Sequence, residues 1–90
     1  MKILDLVLKG KWYDMIESGE KPEEYRDLIS HWVSRIWYHK EELTAVRFHR
    51  GYTNKTMTFE ISGIAVGKGN PQWGAPKDRE VFIIKLGARI

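Results

Sequence analysis

The chain is 90 residues long, without cysteine, 42% hydrophobic and 30% charged, with a formal net charge of +3. That is enough for one domain (residues 1–90) with a modest core; two domains will not fit, and a disordered chain would carry fewer apolar residues. Lack of cysteine removes disulfides, thiol nucleophiles and cysteine-based zinc sites and fits a cytoplasmic chain, and no apolar run approaches the ~18 residues of a membrane helix.

The opening MKILDLVLKG holds an acid inside its apolar run and no small-residue cleavage site, so it reads as a strand and not a signal peptide. Leu4, Leu6 and Leu8 alternate onto one face, the core face of a strand over residues 3–8. From Lys11 to Ser18, Trp12, Met15 and Ile16 fall at i, i+3 and i+4, a two-turn helix that Gly19 stops. A charged turn and a short strand over residues 23–27 follow, with Pro22 barring continuation of the helix.

Ile29, Trp32, Val33, Ile36 and Trp37 then form a complete i, i+3, i+4, i+7, i+8 stripe. Such a stripe predicts a second helix whose two tryptophans belong to the core rather than to a stacking platform. Residues 38–43 read as a polar connection. A strand is expected over residues 44–50 with Val46 and Phe48 inward, a turn over 51–55, and a strand over 56–66 that bends at Gly63. Residues 67–78 read as a loop. Residues 81–86 are nearly all apolar, the mark of a strand that is central or buried on both sides. The class predicted is α+β: a small, partly closed antiparallel β-barrel of five to six strands with two short helices packed on it.

The densest chemistry lies in Gly19-Glu20-Lys21-Pro22-Glu23-Glu24-Tyr25-Arg26. In an extended segment Glu24 and Arg26 share one side and Glu23 and Tyr25 the other. Glu24 and Arg26 can then pair, with Lys21 delivered beside them by the turn. Lys21 could contact a phosphate or, desolvated, act as a base; Glu24 could orient it, and Arg26 could hold Glu24 or grip an anion with its fork. The same residues could equally form an ion-pair network that fixes the turn. A functional cleft built on them is expected to be partly solvated, leaving Glu24 partly exposed and its replacement by Gln costing less than about 1.5 kcal/mol.

Two further features suit an anionic partner. Through Asp27 there are five basic and seven acidic residues, and from Leu28 onward ten basic and five acidic, so the second part carries +5. Within it Arg47, Arg50 and Lys55 alternate with Phe48 and Tyr52, a composition that suits a groove tracking a nucleic-acid backbone, or simply a solvated hairpin. Trp73, in a loop without periodicity, either anchors that loop or offers a face to a base. No phosphate loop, nucleophile elbow or metal-ligand spacing is present, and no cofactor or metal is expected.

Gly19, Lys21, Glu24 and Arg26 spell G-x-K-x-x-E-x-R, and on that motif and the pattern around it the chain resembles the ASCH domain family. The resemblance implies a PUA-like barrel and binding of RNA or a nucleotide-like ligand, in a cleft between barrel and helix lined by Lys21, Glu24 and Arg26. One branch of that family hydrolyses N4-acylated cytidines, which implies an alternative: a small amidohydrolase acting through Lys21 and Glu24. Glu24 stands where that branch carries a threonine.

Overall fold

The computed structural model describes residues 2–90. Strand β1 (Lys2–Leu8) leads into helix α1 (Gly10–Glu17) and strand β2 (Glu23–Arg26). Helix α2 (Ser30–Arg35) and a 3₁₀ turn (Trp37–His39) precede β3 (Leu43–Arg50) and β4 (Thr56–Gly67). A second 3₁₀ turn (Pro71–Trp73) and β5 (Val81–Arg89) complete the chain. The five strands form one curled sheet in the order β1-β3-β4-β5-β2, a half-barrel with the two short helices against it.

The sheet is not wholly antiparallel. β3–β4, β4–β5 and β5–β2 are antiparallel, but β1 lies parallel to β3. Residues 9–42, with both helices, form the crossover that a parallel pair requires. The first and second strands of the sequence therefore lie at opposite edges of the sheet.

Leu4, Leu6 and Leu8 of β1 meet Val46 and Phe48 of β3, Met57 of β4, and Phe82 and Ile84 of β5 in the main core. Tyr13 and Ile16 press α1 onto them. On the other face of β5, Val81 and Ile83 pack with Tyr25 and Ala75, and Trp73 lies against that cluster. β5 is thus buried on both sides over Val81–Ile84, where the loop of residues 68–80 folds back over its outer face, and emerges from Lys85 onward. The bend expected at Gly63 falls where the β4–β5 register shifts, between Ile61 and Gly63.

The apolar stripe of residues 29–37 does not become one buried helix. α2 stops after six residues, the chain tightens into the 3₁₀ turn, and only Ile36 of the stripe is buried. Ile29 precedes the helix and is exposed, and Trp37 is half-exposed, its ring stacked 6.1 Å from Phe82. Changing the helical pitch after Arg35 breaks the i, i+7 alignment on which the stripe depends.

Candidate functional site

The curl of the sheet brings the end of β1 toward β2, and the seam between these two edges is a cleft of about 460 Å³. Each wall comes from a different element. Trp12 projects from α1, Trp32 from α2 and Trp73 from the loop, while Glu24 and Arg26 of β2 reach it from below.

The turn that feeds β2 is fixed by its backbone. Gly19 adopts φ 87°, a left-handed conformation that glycine takes without steric cost. Its N–H donates to Ile16, and the N–H of Lys21 donates to Met15 at 3.0 Å. Lys21 is thereby folded back under the sheet, where its side chain is only 1% exposed. Its ammonium lies 3.1 Å from Oε1 of Glu24 and donates to the carbonyl oxygen of Trp73. The faces of Tyr25 and Trp12 stand 4.5 and 5.5 Å away, adding cation–π attraction. Burial pushes the Lys21 ammonium below its ordinary pKa of 10.5, and the Glu24 carboxylate partly restores it.

Strand parity holds. Glu24 and Arg26 meet on one side, with Nη1 of Arg26 on Oε2 of Glu24. On the other side the Tyr25 hydroxyl donates to Glu23 at 2.7 Å and accepts the N–H of Asn70 at 3.0 Å. Burial of that phenol raises its pKa well above the usual range. Asn70 in turn caps the Pro71–Trp73 turn by accepting from the N–H of Gln72 at 2.9 Å. A buried ring, a cap and a buried ammonium therefore hold the loop in place.

The expectation of a partly solvated Glu24 is overturned. Glu24 is buried, with cations on both oxygens, because Lys21 and Arg26 close over it. Arg26 is also heavily engaged. It donates to Tyr25 O at 2.8 Å and Val7 O at 3.2 Å, and its guanidinium lies 5.3 Å from the centre of the Trp32 ring. Trp73 both anchors and lines: its carbonyl holds Lys21 while its half-buried ring forms part of the cleft.

Arg47, Arg50 and Lys55 lie outside the cleft, and each already has an acid. Arg47 forks onto Asp5 at 2.7 and 3.1 Å, Arg50 onto Asp14 at 3.1 Å through both nitrogens, and Lys55 reaches Glu17 at 3.4 Å. These pairs lower the pKa of Asp5 and Asp14, chiefly through the arginine hydrogen bonds. The basic hairpin is thus neutralised by β1 and α1 rather than left as a free stripe.

Sequence reasoning missed Trp12 and Trp32 as cleft residues, because both sat on apolar helical faces that read as core. It also missed Arg79, which borders the cleft and pairs with Asp27 at 3.1 Å. Comparison with protein-family models, with curated proteins and with solved structures finds no match for the chain.

Proposed function

We propose that this chain is an ASCH-type, PUA-like domain that binds RNA or a nucleotide-like anion, one unit at a time, in the seam between β1 and β2. The observation that carries this reading is the convergence of Trp12, Trp32 and Trp73 on a cleft floored by the Glu24–Arg26 pair. Aromatic faces in that number favour a flat ring, and base–aromatic stacking contributes roughly 1–3 kcal/mol per base. Lys9 at the rim supplies a cation without an acid partner among the described residues, suited to the phosphate of the same nucleotide. The bound unit takes the cleft while Lys21, beneath it, keeps Glu24 and the loop in register.

The direct experiment is a titration of short single-stranded RNA followed by tryptophan fluorescence, at several salt concentrations. Micromolar binding with quenching is expected. With only one or two phosphates neutralised, the slope of log K against log salt should be shallow, about −0.7 to −1.4 for a single strand. Absence of any fluorescence or mobility change with RNA and with free nucleotides at low salt would end this reading.

A second reading, hydrolysis of an N4-acylated cytidine, draws on one observation: burial depresses the pKa of Lys21. An amine of lowered pKa is a better base or nucleophile at neutral pH. Against it, both named acceptors of Lys21 lie within the protein, and Glu24 separates it from the cleft. Incubation with N4-acetylcytidine, followed by chromatography, distinguishes the two; turnover that Lys21→Ala abolishes would favour hydrolysis.

A further inference from the structure

At the other end of β1, about 20 Å along the strand at its usual rise per residue, a second cavity of about 480 Å³ opens beside α2. Lys2 comes from β1, His31, Ser34 and Arg35 from α2, and His39 from the 3₁₀ turn. The Lys21–Glu24–Arg26 cluster takes no part in it.

Arg35 differs from the other arginines. Arg26, Arg47, Arg50, Arg79 and Arg89 each sit on a carboxylate. Arg35 has no carboxylate partner among the described residues; its Nε donates to Nε2 of His31 at 3.0 Å. That contact uses one of five N–H groups and leaves both terminal nitrogens without an acid. Lys2 has no ion pair either among the described residues. Nδ1 of His39 is buried without a hydrogen bond, its neighbour Glu42 being 3.5 Å away and poorly aligned. The acid in the wall, Asp5, is held by Arg47 at 2.7 Å and by His49 at 2.8 Å, so its charge is already matched.

We propose that this cavity is an anion site that takes a phosphate group, held by the fork of Arg35 and the ammonium of Lys2. A phosphate presents chiefly acceptor oxygens, and the terminal nitrogens of Arg35 with the ammonium of Lys2 are donors that no acid has taken among the described residues. Guanidinium binds two phosphate oxygens in plane, while lysine acts as a point charge. Ser34, one turn along α2 from His31, adds a hydroxyl donor to the wall. Inorganic phosphate and the phosphodiester of an oligonucleotide share this chemistry. The proposal is independent of what occupies the motif cleft.

The test is a titration of the ¹⁵N-labelled full chain, with sodium phosphate at constant ionic strength and separately with a short oligonucleotide, sodium chloride serving as control. Saturable shifts are expected at Lys2, His31, Ser34 and Arg35. Losing a hydrogen bond to a charged group should weaken the affinity about tenfold in Arg35→Gln. Lys2→Gln, at the exposed start of the strand, is the second variant and should weaken it as well. A saturable response to inorganic phosphate supports a free-anion site, and a response to the oligonucleotide alone supports a phosphodiester site. Shifts no larger than with chloride for both ligands, or wild-type affinity in both variants, overturn the proposal.

Discussion

Nη2 of Arg26 donates to the main-chain carbonyl of Val7 at 3.2 Å, joining β2 to the strand at the opposite edge of the sheet. Its Nη1 meets the carbonyl of Tyr25 on its own strand. One guanidinium thus bridges two sheet edges that have no ladder between them.

Removing this bridge should cost more than a surface ion pair does. Arg26→Ala also strips Glu24 of one of its two cations, and breaking a buried pair costs about 3–5 kcal/mol. Arg26 is partly exposed, so a loss of about 2–3 kcal/mol is expected. Arg26→Lys, which keeps the charge without the fork, should fall in between. Urea melts of the three proteins measure this, and a loss under about 1 kcal/mol for Arg26→Ala would mean the seam holds without it.

Glu24→Gln removes the anion between two cations and should destabilise the fold by about 3 kcal/mol or more. An exposed pair would cost under about 1 kcal/mol. The same melts therefore separate a buried clamp from a solvated site. Loss of binding alone, with stability intact, would contradict the burial of Glu24.

Lys21 gives the protein a pH signature. Its folded pKa lies below the 10.5 of a free lysine. Between those two values the unfolded chain binds more protons than the folded one, so stability from this group rises with pH. Lys21→Met abolishes that rise. The difference in unfolding free energy, wild type minus variant, should therefore climb as pH approaches 10.5. Tyr13 and Tyr25, whose phenols burial raises, lose stability in the alkaline range in both proteins, which is why the difference is the quantity to follow. Parallel pH profiles would show that Lys21 keeps its ordinary affinity for a proton.

RNA affinity should follow the tryptophans and not the hairpin. Trp12→Ala and Trp32→Ala are each expected to weaken binding by about 5- to 150-fold, the range that stacking on one base supplies. Arg47→Gln and Arg50→Gln, whose charges Asp5 and Asp14 already offset, should change it less than about threefold, as screened, neutralised surface charges do. The reverse ranking in the same fluorescence titration would move the interface to β3 and β4.

Gly69→Ala tests the packing of the loop. A Cβ there would collide with Cε1 of Tyr25 and lie 2.7 Å from Cβ of Ala75, both held in the second cluster. Overpacking of this kind costs about 1–3 kcal/mol. Because Tyr25 also holds Asn70, the substitution should loosen the loop and reduce binding, visible as faster amide exchange at residues 69–75.

Much of the strand pattern was legible because a period of two survives without tertiary context. Leu4, Leu6 and Leu8, the inward Val46 and Phe48, and the shared side of Glu24 and Arg26 all follow from it. The Ile29–Trp37 stripe misled, since its periodicity assumes a constant pitch that the chain abandons after Arg35. Tyr13 is fully buried despite its hydroxyl, while its neighbour Trp12 faces the cleft. A helical stripe does not reveal where one core ends and a pocket begins. The parallel β1–β3 pair and the burial of Lys21 depend on residues far along the chain, and no local pattern announces them.

β2 holds Glu24 and Arg26 of the motif, yet its ladder partner among the described residues is β5, more than 50 residues further along. On the ribosome the motif would therefore emerge long before its register can form. Until residues 82–85 are free to pair, Glu24 and Arg26 have no strand to align them. The alignment of Glu24 with Arg26 would wait for β5, and a chain stalled before Val81 would display the motif without the strand that sets its register.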